Sequence, residues 1–161
     1  MRKPYNSVRV ALLDENNQVA VLHLSKFNFY TLPGGGIDQG ETTEQALARE
    51  MQEETGCNCE MICHLGTIEE NSQTYDWWGV SECFMAKVRG KKGQPSLTEI
   101  ELEEGTQVQW HSLQDALGLI SNQDINRMPN VENEKNKAIM TMITQRDITI
   151  LNEAIKVSKE R

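Results

Sequence analysis

Three carboxylates, Glu50, Glu53 and Glu54, fall within five residues of this 161-residue chain, just before Gly56. On a helix, the positions three and four beyond Glu50 project into the same sector, so the three side chains share a face and repel one another. The same turns precede a glycine that reads as the helix exit, where the partial negative charge of a helix C-terminus adds to the repulsion. Folding alone supplies no reason for this crowding. Arg49, four residues before Glu53, is within reach of the sector and can hold a carboxylate through a charge-assisted fork. Ahead of the helix, Pro33, Gly34, Gly35, Gly36 and Gly40 permit tight turns and a close approach of main-chain carbonyls to a bound species. Clustered carboxylate oxygens beside an exposed carbonyl suit a hard divalent cation such as Mg2+, which offsets the repulsion.

The elements that must position these groups follow from pattern and punctuation. SVRVALLD and QVAVLHL are apolar, β-branched runs joined by ENN and read as a hairpin. Thr42 and Gln45 have capping-box spacing for the acidic helix, whose Leu47, Ala48, Met51 and Thr55 form the side expected to pack on a sheet. CNCEMICHLG reads as a strand, and YDWWGVSECFMAKVRG as a longer strand or strand pair. GKKGQPSLTEIELEEG, with Gly, Pro and charge, reads as an exposed loop. TQVQWHSL is one more strand, and SLQDALGLI a short helix capped by Ser112. Ile139, Met142, Ile143, Ile150, Ala154 and Ile155 fall near helical spacing, which predicts a packed C-terminal helix over about 133–158. Length and the shortness of the polar stretches predict one domain over 1–161.

Composition excludes several classes. The 24 acids against 16 bases, a formal charge of -8, argue against non-specific binding to nucleic acid or an anionic membrane, and a phosphorylated ligand would need a cation. No apolar run approaches a membrane span and the N-terminus lacks a signal-peptide core, so a cytoplasmic protein is expected. Cys57, Cys59, Met61 and Cys63 alternate with Asn58, Glu60, Ile62 and His64, and the cysteine spacing is poor for zinc; a strand would put all three thiols on one face as small buried hydrophobes.

Gly35, Glu41, Arg49, Glu50, Met51, Glu53, Glu54, Gly56 and Cys57 match G-x5-E-x7-R-E-U-x-E-E-x-G-U, and the chain thereby resembles the Nudix hydrolases over residues 35–57. Only Cys57 departs, being smaller than the usual aliphatic residue. The resemblance implies an α/β fold, an α/β/α sandwich on a mixed β-sheet, and metal-dependent hydrolysis of a nucleoside diphosphate linked to a group X. It implies Glu50, Glu53 and Glu54 as ligands of Mg2+ or Mn2+, with the carbonyl of Gly34, and Glu41 and Arg49 as the groups that orient them. Two carboxylates compete as general base, Glu50 and Glu104, the latter six residues before Trp110. Lys26, ahead of the glycine turn, is a candidate for a distal phosphate, and Trp77 and Trp78, adjacent on a strand, for stacking on a base. His23, His64 and His111 have no paired nucleophile and are assigned no chemistry.

The expected partner is a small phosphorylated nucleotide-like substrate, a nucleoside triphosphate by preference, with ADP-ribose, a nucleotide sugar and a dinucleoside polyphosphate as alternatives. No nucleic-acid or membrane partner is expected, and a homodimer is compatible with the sequence. A catalytically silent nucleotide-sensing or partner-binding module is the competing reading. Such modules lose acidic ligands, whereas this chain keeps all of them.

Overall fold

The computed structural model describes residues 2–161. Its strands are β1 (Tyr5–Leu13), β2 (Gln18–Leu24), β3 (Phe29–Thr31), β4 (Gly34–Gly36), β5 (Asn58–Ser72), β6 (Trp77–Arg89) and β7 (Thr106–Ser112). The helices are α1 (Thr43–Thr55), α2 (Glu99–Glu103), α3 (Leu113–Ser121) and α4 (Glu134–Glu160). The expected hairpin forms between β1 and β2, with Leu13 opposite Val19. All seven strands join one mixed sheet, in which β1 runs parallel to β6 and antiparallel to β4.

β1 is apolar from Val8 onward except at Arg9, because both of its faces are covered there. Val8, Val10 and Leu12 pack with Ala46, Leu47 and Met51 of α1. Ala11 and Leu13 pack with Ala116 and Ile120 of α3 and with Ile150, Leu151 and Ala154 of α4. The result is the α/β/α sandwich with its sheet in the middle. One edge of β1 is shared: β4 pairs along Ser7–Arg9, whereas β2 meets it at Leu13. β2 then carries β3 and β7 on its own edges. The sheet therefore splays open between β1 with β4 and β2 with β7, and the glycine turn sits at the mouth of that opening.

Helix α1 begins as expected, with Thr42 and Gln45 forming a reciprocal capping box, and ends at Gly56 with φ 73°. Its buried face is displaced by one stripe from the sequence expectation: Ala46 is buried and Ala48 exposed. Ala46 shares a stripe with Glu50 and Glu54, so the packed arc extends toward the acidic side, and Glu54 itself is buried.

Two further expectations are corrected. The stretch read as an exposed loop contains α2, a five-residue helix whose capping box joins Thr98 and Glu101. Its brevity leaves no apolar period to detect, and Ile100 and Leu102 remain exposed. The thiols of β5 do not share a face, because an irregularity between Met61 and Cys63 inverts the alternation. Cys59 thus packs on the α1 side and Cys63 on the α3–α4 side. All four cysteines are free, and burial pushes the Cys59 thiol up to about 11 and Cys83 to about 12. The strand read as one or two is one, β6, paired with β5 in a long antiparallel hairpin. Among the described residues no helix is long and apolar enough to cross a membrane.

The segment from Arg89 to α2 is tied to the end of α1. Gly93 N–H donates to the Gly56 carbonyl at 2.8 Å, and Ser96 N–H to the Glu53 carbonyl at 2.7 Å. A Cβ on Gly56 would meet the Gly93 carbonyl oxygen at 2.5 Å as well as a left-handed backbone. Gly56→Ala should therefore cost about 2 kcal/mol or more in urea denaturation. Gly40→Ala, at φ 82° with open space around its Cβ, should cost only about 1 kcal/mol.

Candidate active site

A cavity of about 470 Å3 occupies the opening in the sheet. Glu50, Glu53 and Glu54 line it from α1, Gly34, Gly35 and Gly36 from β4, Tyr5 and Arg9 from β1, and Glu101 and Glu104 from the α2 segment. The glycines are required by contact. A Cβ on Gly35 would enter the Glu50 carboxylate, and one on Gly34, at φ 152°, would enter the Val8 carbonyl oxygen. Gly34 N–H donates to Glu54 Oε1 at 2.7 Å, so the turn fixes a carboxylate through its amide.

Arg49 organises the rest. Its Nε and Nη2 donate to the two oxygens of Glu41 at 2.8 and 2.9 Å, a bidentate fork. Its Nη2 also reaches the Gly36 carbonyl and its Nη1 the Glu50 carboxylate, both at 2.9 Å. Glu53, the i, i+4 partner expected from the sequence, lies farther away at 3.5 Å. Its leading partner is instead Glu41, before the helix, and the Arg49 fork holds that carboxyl down at about 2. Glu50 responds in the opposite direction: burial pushes its carboxyl up, against the nearby guanidinium.

Glu54 is the most confined of the three. It is 7% exposed, and burial together with the Glu101 carboxyl beside it pushes its own carboxyl well above the usual range. The donor set facing the cavity is all oxygen and rich in negative charge, which fits a hard divalent ion. No three such side chains converge on one metal-sized point among the described residues, where Glu50 and Glu53 are in contact with Arg49.

The remaining candidates are scattered around this cavity. Glu104 lines it and also a second, smaller cavity of about 270 Å3, with Leu24 shared by both. The second cavity is walled by Phe27, Phe29, Ile139, Met140 and Ile143, with Asn136. Burial pushes the Glu104 carboxyl up, opposed by the Lys26 charge nearby. Lys26 does not line the first cavity; its ammonium lies 5.5 Å from the Phe27 ring centroid. Trp77 lies behind the cavity wall, its ring 5.9 Å from that of the cavity-lining Tyr5. Trp78 is held elsewhere, donating to Glu69 at 2.9 Å with Arg2 over its ring.

Several charged residues at this site escaped the sequence reading. Arg9 interrupts the apolar run of β1 on the face shared with Ala11 and Leu13, where a charge is costly. Arg146 and Asp147 fill the gap between Ile143 and Ile150 in the apolar stripe of α4, and both are buried. Asp147 accepts from Thr31 Oγ1 at 2.7 Å and from Leu32 N–H at 3.0 Å, and pairs with Arg146 at 3.0 Å. A charge at a position that periodicity assigns to the core was the available signal.

A family model described as NUDIX domain matches residues 3–131. An 8-oxo-dGTP diphosphatase of Escherichia coli (strain K12) is 32% identical over 94 residues, 51% of this chain and 69% of that protein. An 8-oxo-(d)GTP phosphatase of Mycolicibacterium smegmatis (strain ATCC 700084 / mc(2)155) is 43% identical over 51 residues, 32% of this chain. The match spans only 16% of that longer relative. Among solved structures, a NUDIX hydrolase from Nitrosomonas europaea superimposes with a TM-score of 0.61 at 16% identity, over 87% of this chain and 89% of that one. At that identity the likeness speaks for the fold alone.

The environment of Glu54 gives a stability prediction. A buried carboxyl with Glu50 and Glu101 as neighbours and no salt-bridge partner opposes folding of the metal-free protein. Glu54→Gln should raise the stability of that form, by a few tenths of a kcal/mol from relief of the i, i+4 repulsion alone. Denaturation in chelator checks it, and a loss of 1 kcal/mol or more would contradict it.

Proposed function

The chain belongs to the NUDIX domain family, and on that premise we propose that it hydrolyses the diphosphate linkage of a nucleoside diphosphate derivative with a divalent metal ion, Mg2+ by preference and Mn2+ as the alternative. The observation that carries the reading is the convergence of Glu50, Glu53, Glu54 and the Gly34–Gly36 backbone on one cavity. We assign Glu50, Glu53 and Glu54, with the Gly34 carbonyl, as the groups that would hold the metal. Bound there, the ion supplies charge neutralisation of the phosphate oxygens and Lewis acidity at phosphorus. Glu41 and Arg49 act as positioning residues: the fork to Glu41 orients the guanidinium, whose Nη1 then donates to Glu50 and whose Nη2 donates to the Gly36 carbonyl.

In the reaction a water oxygen attacks one phosphorus in line, the bond from that phosphorus to the bridging oxygen breaks, and the water proton passes to a carboxylate. Glu50 is the favoured acceptor, because it is fixed on a helix against Gly35; Glu104 is the alternative, at the junction of the two cavities. A nucleoside triphosphate or a similar small nucleotide is the preferred substrate. The apolar second cavity suits a planar base, and Asn136 offers the paired donor and acceptor that read a base edge. The names of the Escherichia coli and Mycolicibacterium relatives point the same way. We place the activity in the cytoplasm, on the whole chain acting as one domain.

Hydrolysis of nucleoside triphosphates, ADP-ribose, nucleotide sugars and dinucleoside polyphosphates, with product analysis, tests the substrate. A profile confined to nucleotide sugars or dinucleoside polyphosphates would overturn the preference. Chelation should abolish turnover while the circular dichroism spectrum and unfolding transition persist, since the packed core does not depend on the ion. The base is identified by kcat at saturating metal. Glu50→Gln should stay depressed by about 10²- to 10⁴-fold, whereas Glu104→Gln should show a smaller or metal-rescued loss. The reverse pattern would transfer the role to Glu104.

A further inference from the structure

Arg9 stands out among the cations of the fold. It lines the same cavity as the three glutamates, yet it makes no hydrogen bond or ion pair with any described residue. Its Nε is buried and unpartnered. Its own position on β1 aims it at the α3–α4 side of the sheet, where Arg146 lies close enough to repel it. Arg146 is engaged by Asp147 at 3.0 Å and by Glu70 at 3.8 Å, and its Nη2 is likewise buried without a partner. Asp147, a carboxylate whose charge acts on Arg9 along with that of Glu54, is committed to Thr31, Leu32 and Arg146. The fold thus sets two guanidinium groups near one another at the cavity and leaves the buried Nε of the front one without a partner.

A buried guanidinium N–H without an acceptor costs free energy, and the half-buried Arg9 carries one. The fork geometry and the fixed charge suit one ligand chemistry above others, the oxygens of a phosphoryl group. We infer that Arg9 is a substrate-binding residue that receives a phosphate of the diphosphate on the side of the cavity opposite Glu50 and Glu53, with Arg146 as the positioning residue that keeps its guanidinium turned outward. The inference deepens the hydrolase reading and rests on it in one respect, that the cavity accepts a diphosphate.

The test uses methylenediphosphonate, a diphosphate analogue that water cannot cleave, titrated calorimetrically into the full chain with saturating Mg2+. Arg9→Met should weaken its binding about 10- to 100-fold, and Arg9→Lys should recover part of the loss, keeping the charge without the fork. Arg127→Met, which removes the same charge at an exposed position paired only with Asp124, should bind as the unaltered protein does. Two further measurements separate ligand binding from structural support. The thermal midpoint of metal-free Arg9→Met should equal or exceed that of the unaltered protein, because an unsatisfied cation is lost, and its Mn2+ affinity should be equal or tighter, because a cation leaves the neighbourhood of Glu54. Unchanged diphosphonate affinity in Arg9→Met, a lowered midpoint, or lost Mn2+ binding would each overturn the assignment. Should the unaltered protein bind the diphosphonate in an Arg9-dependent way and yet hydrolyse no nucleoside diphosphate derivative, the hydrolase reading falls and the Arg9 assignment stands.

Discussion

Like charges confined to one small cavity are the constraint around which this fold is arranged. Glu50, Glu53, Glu54, Glu101 and Glu104 all face the same opening, and in a partly dry site like charges repel more strongly than they do in water. Two devices hold the cluster. Arg49 distributes one positive charge among Glu41, Glu50 and Glu53, and the Gly34 amide donates directly to Glu54. Neither neutralises the whole set. The residual charge is what a divalent ion would relieve, so the local instability and the proposed activity have one origin.

The sheet supplies the space. If β2 paired with β1 along its full length, the strand edges would be satisfied and no cavity would exist between them. Instead β4 takes the first half of that edge through Ser7–Arg9, and Val10 N–H is satisfied by the Pro33 carbonyl at 3.1 Å. The glycine turn is therefore both a strand that completes the ladder and the wall of the cavity, which explains why side chains are excluded from it. Asp147 of α4 pins the approach to this turn at Thr31 and Leu32. The C-terminal helix thereby controls the position of a loop that lies more than 100 residues earlier in the chain.

What could be read from the sequence was whatever is encoded by short-range spacing. The acidic sector of α1, its capping box, its glycine exit and the strand patterns all depend on residues within a few positions of each other, and they appear where expected. Contacts across the fold were not legible in that way. Arg49 looked like a partner for Glu53 because the helix makes that pair local, whereas its fork closes on Glu41, eight residues away. Strict alternation puts Cys59 and Cys63 on one face, and the irregularity that separates them exists only in the pairing with β6. α2 is too short to carry a period. Arg9, Arg146 and Asp147 violate the core pattern, and a violation shows that something is being held without showing what.

The two signs of charge in the cavity are kept apart, and that separation has a consequence of its own. Arg9 lies close enough to Glu54 to favour its ionised form, yet no ion pair closes between them. Had they formed a bidentate bridge, the empty cavity would be internally satisfied and more stable, and a ligand would have to break that bridge before binding. Both residues border the Gly34 backbone, which donates to Glu54 and whose added Cβ would meet Arg9 Cδ at 2.8 Å, and they leave an acidic wall and a basic wall facing the same space. A free cation or a free anion complements only one wall. Under the proposed function, a metal ion carrying phosphate oxygens would complement both walls.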